Sequence, residues 1–203
     1  MSAFSLAAIH PAYMLVGASP EVRAIVHIRA SGLRADGLEA ALRLWTPRGA
    51  TVAAFGEYTP TRRDLRGRAV RLDDRTIACA AGRWSDGARE YELVVRLPPG
   101  RAGDEILAAR LVMLVEDEVV GRAPIAVTWT VDETLLATRH PDRPAAGSPP
   151  VIGELPTGRS PAPRHTLAAQ HAAPRCSACD LRAADGDRFC ERCGHPLGDV
   201  QKS

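Results

Sequence analysis

The sequence predicts an all-β fold, namely an antiparallel β-sandwich of the immunoglobulin-like class, followed by a flexible linker and a small cysteine-rich module. Three observations support this prediction. Short segments alternate apolar and polar residues with a period of two, and turn residues separate them. Half of the 16 prolines fall in residues 138–174, and four of the five cysteines fall in residues 176–193. The chain therefore divides into a strand-rich region, a proline-rich region and a cysteine-rich tail.

The strand-rich region contains seven or eight predicted strands. The clearest alternation covers residues 91–97, and Pro98-Pro99-Gly100 ends it with turn residues. The predicted strands, in chain order, cover residues 22–28, 40–45, 51–55, 70–72, 76–80, 91–97, 106–115 and 125–131. Short strands with turn signals between them, and no convincing amphipathic helix, are typical of a two-sheet antiparallel sandwich.

Residues 106–115 form the one segment for which the pattern leaves two structures open. The segment is almost wholly apolar apart from Arg110, so a buried helix and a central strand both fit it. Val112 and Val115 favour a strand, as does the strand-rich context. We therefore predict a central strand packed on both faces, followed by an exposed turn at residues 116–118.

Composition sets the domain boundaries. Residues 1–137 form the predicted sandwich, which is long enough to bury its own core. Residues 138–174 hold eight prolines and no aromatic residue, so this stretch has too little apolar surface to offset the entropy of ordering. We predict a disordered linker there, and a small separate module at residues 175–203.

Composition and charge also exclude some classes of protein. The chain has 203 residues, but it lacks the run of about 20 apolar residues that spans a bilayer, so we expect no membrane segment. Residues 1–17 carry no basic n-region, so we expect no secretory signal and predict a cytoplasmic protein. The net charge of +2 lacks the basic excess that nucleic-acid-binding proteins usually show.

The cysteines of the tail have the spacing of a metal site. Cys176 and Cys179 are separated by two residues, and Cys190 and Cys193 repeat this spacing after a further ten residues. Two such turns bring four thiolates to one ion and complete a tetrahedral Zn²⁺ site with Zn–S distances of about 2.3 Å. Four cysteines close the coordination shell, so we predict one structural zinc ion in a small zinc ribbon. The metal would supply the folding energy, about 10–16 kcal/mol in apparent terms.

Neighbouring residues support this interpretation, and the alternative interpretations of the cysteines have weaker support. Asp180 and Gly194 follow the second cysteine of each pair, where such a turn needs a left-handed residue. His195 lies two residues after Cys193, but four thiolates already fill the tetrahedron, so we interpret this histidine as a spectator. The alternatives are two disulfides, which need an oxidising compartment, and a rubredoxin-like iron site, which usually separates its cysteine pairs further.

The sequence contains no catalytic motif that we recognise. A P-loop, an H-E-x-x-H motif and a G-x-S-x-G motif are absent. The acidic clusters at residues 73–74, 116–118 and 132–133 are interpreted as turns. We interpret Cys79 as a buried core residue. Trp84 and Trp129 are expected in the core, whereas Trp45 shares one side of its strand with Arg43 and is a candidate contact residue.

Two parts of the sequence resemble a known family. The first part comprises residues 84–93, 97–100, 103–110 and 127–130, followed by the acidic pair at 132–133. It resembles the β-rich region that follows the von Willebrand factor type A domain in bacterial multidomain proteins. Residues 21–26 are similar to the strand that precedes this domain. The resemblance implies that relatives carry the type A domain between Ala30 and Leu38, where this chain has a short loop.

The resemblance covers the supporting sandwich and not the type A domain itself. The D-x-S-x-S metal-adhesion motif of type A domains is absent, so no Mg²⁺-binding residue carries over. Residues 189–197 are similar to the short zinc-ribbon domains that are common at the ends of bacterial proteins.

The charge of the tail bears on its partner. The tail carries five basic and five acidic residues: Arg175, Arg182, Arg188, Arg192 and Lys202, against Asp180, Asp185, Asp187, Glu191 and Asp199. Nucleic-acid binding needs a surplus of cations, so the balance favours a protein partner. The sequence therefore predicts a non-enzymatic, zinc-binding scaffold or protein-interaction protein. The alternative is a nucleic-acid-associated regulator that acts through the zinc ribbon.

Overall fold

The computed structural model describes residues 3–17, 20–33, 36–137, 139–140, 175–182, 187–190 and 193–197. Two six-stranded sheets form a β-sandwich, which confirms the predicted all-β fold class. The helical elements of the described residues are two short 3-10 helices, Arg66–Arg68 and Glu133–Ala137. Within the same residues, no helix has the length and apolar character needed to cross a lipid bilayer.

The described residues form twelve strands. They are β1 (Ala3–Pro11), β2 (Tyr13–Leu15), β3 (Glu21–Ser31), β4 (Leu38–Trp45), β5 (Thr51–Thr59), β6 (Arg63–Asp64), β7 (Val70–Arg71), β8 (Thr76–Trp84), β9 (Gly87–Arg96), β10 (Glu105–Val115), β11 (Glu118–Thr130) and β12 (Arg139–His140). Sheet I has the order β12-β1-β3-β9-β5-β6, and sheet II has the order β2-β11-β10-β4-β8-β7. The strand pairs are antiparallel except for β2 with β11, which is parallel.

Strand β10 lies between β11 and β4 in sheet II. It pairs with β11 along most of its length, but with β4 only from Arg110 to Val115. The first half of β10 therefore has one edge that β4 does not cover, because β4 ends at Trp45. This edge is where the cysteine-rich tail meets the sandwich.

The core lies between the two sheets. In β3 every second residue is buried, so the period of two seen in the sequence is the period of burial. Full burial of one large apolar side chain contributes about 1.5–3 kcal/mol. The largest fully buried side chains come from both sheets and, for Leu65, from the segment after β6: Trp84, Tyr91, Phe55, Ile28, Leu42, Leu44, Leu65, Leu93, Leu107, Leu111, Met113 and Ile125.

The ambiguous apolar segment at residues 106–115 is a strand, so the helical alternative is wrong. The expectation that both of its faces are buried holds only in part. Leu111 and Met113 are fully buried, whereas Arg110 and Val112 are half-buried on the outer face of sheet II. That outer face has no second layer of described residues over these two positions.

Sequence patterning missed β1. At the end of this strand a polar residue is buried and an apolar residue is exposed: His10 is 4% exposed, whereas its neighbour Ile9 is 40% exposed. The strand is held by antiparallel pairing with β3 from Ala3 to Ile9. Because the partner residues lie more than ten positions away, a local pattern does not reveal this pairing.

The predicted linker, residues 138–174, falls almost wholly outside the described residues. The exception is Arg139–His140, which forms β12 and pairs with His10 and Pro11 of β1. The short loop predicted from the resemblance joins β3 to β4, and these strands belong to different sheets.

Candidate metal centre

The first cysteine pair lies on a tight turn of the tail. The backbone N–H of Asp180 donates to the carbonyl oxygen of Cys176 at 2.8 Å, and the N–H of Cys176 donates to the carbonyl oxygen of Leu181 at 2.9 Å. Asp180 has a φ of 57°, a left-handed conformation that Asp adopts more readily than most residues with a side chain. The chain therefore reverses direction around Cys176 and Cys179.

The second cysteine pair repeats this arrangement. The N–H of Gly194 donates to the carbonyl oxygen of Cys190 at 2.9 Å, and the N–H of Cys190 donates to the carbonyl oxygen of His195 at 2.8 Å. Gly194 has a φ of 75°. Both left-handed residues lie where the sequence predicted them, so the two turns share one backbone geometry.

The four sulfur atoms converge, as the spacing of the cysteines predicts. The Sγ atoms of Cys176, Cys179, Cys190 and Cys193 all lie within 4.8 Å of one another. The Sγ atoms of Cys176 and Cys193 are 3.5 Å apart, and so are those of Cys179 and Cys190. A tetrahedral zinc ion holds its four sulfurs about 3.8 Å apart, because each Zn–S bond is about 2.3 Å long. The donor set and its spacing therefore fit Zn²⁺.

Two of the thiols have shifted pKa values. The backbone N–H of Leu181 is the main cause that lowers the pKa of Cys179 to about 7, because a hydrogen bond to sulfur favours the thiolate. Burial is the main cause that raises the pKa of Cys193 to about 12. Cys179 is thus prepared for metal binding by the turn, whereas Cys193 needs a nearby positive charge in order to ionise.

His195 takes part through its backbone. Its carbonyl oxygen accepts the hydrogen bond from Cys190 that closes the second turn, and its N–H lowers the pKa of Cys193. The converging ligand atoms among the described residues are the four sulfurs, and the imidazole of His195 is not among them. The structure therefore places this histidine beside the candidate centre, in a supporting position.

The second turn contacts the sandwich. The N–H of Leu107 in β10 donates to the carbonyl oxygen of Gly194 at 3.1 Å. A β-carbon on Gly194 would lie 3.0 Å from the carbonyl oxygen of Leu107 and 3.4 Å from Cβ of Pro47, so only glycine fits without displacement. The turn thus covers the part of the β10 edge that β4 leaves unpaired. A cleft of about 420 Å³ beside this contact is lined by residues of both parts, Trp129 and His195 among them.

Asp73, Asp74, Glu116 and Asp117 lie in turns, as predicted, whereas Glu118 begins β11 and Glu133 begins the 3-10 helix Glu133–Ala137. The carboxylate of Asp73 accepts hydrogen bonds from the N–H groups of Arg75 and Thr76, and the first of these is the main cause that lowers the pKa of Asp73. The hydroxyl of Thr134 does the same for Asp132. Residues 116–117 form the hairpin turn between β10 and β11. The carboxylates of Asp73 and Asp132 thus stabilise the local backbone.

The other singled-out residues divide between core and surface. Cys79 is 4% exposed, and burial raises its pKa to about 11, so it is a core thiol as predicted. Trp84 and Trp129 are 1% and 3% exposed. Trp45 is only half-buried, on the outer face of sheet II. The structure thus separates Trp45 from the two core tryptophans in the way the strand pattern predicts.

Sequence reasoning missed one buried ionic cluster. Glu57 is 4% exposed and accepts a 2.6 Å hydrogen bond from Arg63, and a guanidinium nitrogen of Arg89 lies 3.8 Å from its carboxylate. The guanidinium of Arg89 also lies over the ring of Trp84, 4.5 Å from the ring centre. The weak signal available was that Glu57 shares one side of its strand with Phe55, which is a core position. The cluster neutralises a buried charge and contributes to the core.

Fold and tail together define a class of protein: a β-sandwich with a four-cysteine cluster compatible with zinc. No protein-family model matches the chain, and no curated protein matches it.

Solved structures do show similarity. The chain is similar to a von Willebrand factor type A protein from Catenulispora acidiphila, with 34% identity over 49% of this chain and a TM-score of 0.47. It spans only 24% of that protein's length. A chitin-binding domain of a chitinase from Pyrococcus furiosus is 13% identical over 59% of this chain and all of its own length, with a TM-score of 0.38. A cohesin module from Clostridium perfringens is 11% identical over 64% of this chain and 96% of its own length, with a TM-score of 0.39.

Proposed function

We propose that the protein is a non-enzymatic, zinc-binding scaffold or protein-interaction protein of the cytoplasm. In this proposal residues 1–137 form the sandwich domain, residues 138–174 a flexible linker and residues 175–203 a structural zinc ribbon. One Zn²⁺ is bound by four thiolates, those of Cys176, Cys179, Cys190 and Cys193.

The convergence of the four sulfurs is the observation that supports this proposal most strongly. Four thiolates saturate a tetrahedral zinc ion and leave no coordination position for water or substrate. Such an ion stabilises a fold and does not catalyse a reaction. The tail has few apolar residues of its own, so the bound metal would organise its backbone into a defined surface.

The arrangement of the parts supports an interaction function. A coil-like linker of 37 residues has a root-mean-square reach of about 30–35 Å. Sandwich and ribbon would therefore reach two sites on one partner assembly, and the second contact would gain from a raised effective concentration. The hydrogen bond between Leu107 and Gly194 gives the ribbon a docking position on the edge of the sandwich.

Metal analysis tests the zinc site directly. Purified, reduced protein should contain one zinc per chain, and Cys190→Ser should contain almost none. Cys79→Ala is the matched control, because Cys79 lies in the sandwich core, and it should keep one zinc per chain. A zinc content near zero in reduced protein that never met a chelator contradicts the proposed centre.

Affinity capture tests the interaction function. Intact zinc-loaded protein should retain a specific protein partner, and binding should be reproduced with that partner in purified form. Cys190→Ser should lose the part of the affinity that depends on the ribbon. The nucleic-acid alternative is favoured instead if purified protein binds DNA or RNA with an affinity that falls steeply with salt, because such a slope reports displaced counterions.

A further inference from the structure

The outer face of sheet II carries a groove of about 550 Å³, remote in sequence from the cysteine cluster. Cross-strand register builds it from three adjacent strands, β4, β10 and β11. In one row Arg110 lies opposite Trp45, and in the next row Val112 lies between Arg43 and Arg122. We call this surface the Arg–Trp groove, defined by Arg43, Trp45, Arg75, Arg110, Val112 and Arg122.

The groove has an excess of positive charge. Four guanidinium groups line it, against the two carboxylates of Asp73 and Asp74 at one end. The carboxylate of Asp73 is engaged by the N–H groups of Arg75 and Thr76, at 2.7 and 2.8 Å, within the turn before β8. The groove therefore presents more cations than its own acidic groups neutralise.

Some surface arginines of the sandwich are paired with carboxylates, and others are not. On sheet I, Arg23 forms a 2.7 Å ion pair with Glu92. On sheet II, Arg83 pairs with Glu39 at 3.2 Å, whereas the side chains of Arg43 and Arg122 form no hydrogen bond or ion pair with any other described residue. Both side chains are exposed, and the register places them on either side of β10. Their donors are therefore available to a ligand that crosses the strand.

The floor of the groove is partly apolar. The guanidinium of Arg110 lies 5.9 Å from the centre of the Trp45 ring, within the range of a cation–π contact. Val112 is half-buried beside them, and Val119 at the edge of the groove is 44% exposed. A ligand in this groove thus meets arginine donors and an apolar surface together.

We propose that the Arg–Trp groove binds an acidic peptide segment of a partner protein, with an apolar side chain of that segment against Trp45 and the valines. This inference rests on the proposed interaction function and specifies the chemistry of the partner. Guanidinium groups bind carboxylates through two parallel hydrogen bonds, which gives both affinity and geometry. A nucleic acid is the competing ligand, because its phosphates also pair with guanidinium groups and its bases stack on aromatic rings. The net charge of +2 favours the peptide, since nucleic-acid-binding proteins usually carry a basic excess.

Fluorescence anisotropy tests the groove in the full-length, zinc-loaded protein. The probe is a fluorescein-labelled peptide made of Glu-Glu-Leu repeats. We expect saturable binding that Arg43→Glu and Arg122→Glu each weaken about ten-fold or more, because each replaces a charge-assisted hydrogen bond by repulsion. Trp45→Ala should also weaken binding of the leucine peptide. A Glu-Glu-Ser peptide should bind the parent protein less tightly than the leucine peptide does, because it lacks the apolar side chain.

Arg29→Glu is the matched control for charge. Arg29 is also an exposed strand residue without a partner among the described residues, but it lies on sheet I. The substitution Arg29→Glu should leave peptide binding unchanged, and thermal unfolding should show that all variants remain folded. The proposal is overturned if the acidic peptide does not bind, or if Arg29→Glu weakens binding as much as Arg43→Glu. It is also overturned if a single-stranded oligonucleotide binds more tightly than the peptide through the same arginines.

The outcomes separate this inference from the proposed function. If a purified protein partner binds Arg43→Glu as well as it binds the parent protein, the groove is not the binding surface, and the interaction function stands. If the protein contains no zinc and retains no partner, the proposed function fails. The peptide titration still decides whether the groove binds acidic segments in that case.

Discussion

The sandwich and the tail obtain their order from different sources. The sandwich buries large side chains from two six-stranded sheets, among them Trp84, Tyr91 and Leu111. In the described part of the tail, the buried apolar residues are Cys176, Phe189 and Cys190, and two of these are proposed metal ligands. Packing therefore stabilises the first region, whereas in the proposed function the second would depend on bonds between sulfur and a metal ion. In this proposal two different terms offset the entropy that the chain loses on folding: apolar burial in the sandwich and metal binding in the tail.

The two regions nevertheless touch. The hydrogen bond from Leu107 to Gly194 joins the edge of β10 to the second cysteine turn. A single backbone hydrogen bond contributes about 0.5–1.5 kcal/mol net, which is far less than the energy of a structural zinc site. We therefore expect the two regions to lose order separately, with weak coupling between them.

The largest expected effect is the loss of zinc. Cys190→Ser should abolish metal binding and disorder the tail, because the apparent energy of a structural zinc site is about 10–16 kcal/mol. The sandwich should lose only about 1 kcal/mol, from the contact at Leu107. Heteronuclear NMR should show the amide resonances of residues 175–203 collapsing to coil positions, while calorimetry should show an almost unchanged sandwich transition.

Cys79→Ala provides the opposite result for this comparison. It creates a small cavity in the core, so the sandwich should lose roughly 1–2 kcal/mol of stability while the zinc content stays the same. If Cys190→Ser instead lowers the sandwich transition as strongly as it disorders the tail, the two regions are one cooperative unit.

An effect of intermediate size concerns alkaline pH and the sandwich alone. Burial is the main cause that raises the pKa of Cys79 from 9.0 to about 11 and that of Tyr91 from 10.0 to about 12. A raised pKa means that the folded protein holds the proton more tightly than the unfolded chain does. The resulting stabilisation is complete below the unfolded-state pKa and is lost as the pH rises through the folded-state pKa. Urea denaturation should therefore show the free energy of unfolding falling between pH about 9 and about 12.

Tyr91→Phe sharpens this prediction. The Tyr91 hydroxyl is buried and makes no hydrogen bond of good geometry with a described residue, although the nearby Arg89 guanidinium lowers its pKa slightly. Its removal should therefore not lower stability at neutral pH. The alkaline decline should become shallower. Tyr58→Phe is the control, because Tyr58 is 51% exposed, and it should leave the decline unchanged. An equally steep decline in both variants would show that other groups cause it.

The smallest expected effect concerns the contact between the regions. Asp180 shows that the first turn accepts aspartate in the left-handed conformation, so Gly194→Asp should keep the zinc. The added side chain would displace the second turn from Leu107, because a β-carbon there lies 3.0 Å from the Leu107 carbonyl oxygen. Hydrogen exchange of the Leu107 amide should become faster, by an amount equivalent to about 1 kcal/mol.

Asp180→Gly is the reciprocal control for this exchange measurement. It changes the same position of the other turn, which makes no such hydrogen bond to β10 among the described residues. Exchange at Leu107 should stay as in the parent protein. Slow exchange at Leu107 in Gly194→Asp would mean that the tail does not protect this edge in solution.

Local patterns predicted the elements that depend on local chemistry. The burial of every second residue in β3 follows the period of two in its sequence. The left-handed residues Asp180 and Gly194 follow from the spacing of the cysteines. Trp45 was separated from Trp84 and Trp129 because its position relative to Arg43 is a property of one strand.

Features that depend on pairing between distant segments were not predictable. Strand β1 has a buried His10 and an exposed Ile9, so its pattern contradicts its position, and pairing with β3 and β12 holds it in the sheet. The ion pair between Glu57 and Arg63 depends on the antiparallel pairing of β5 with β6.

The sequence by itself determined the all-β character and the four cysteines whose sulfur atoms converge, because alternation and cysteine spacing act over a few residues. The tertiary structure decided that Arg43, Arg110 and Arg122 share one face, and that the second cysteine turn lies on the open edge of β10. Both outcomes require strands far apart in the chain to pair in one register. The free energy of that register comes from burial summed over the whole sandwich, which no single segment contains.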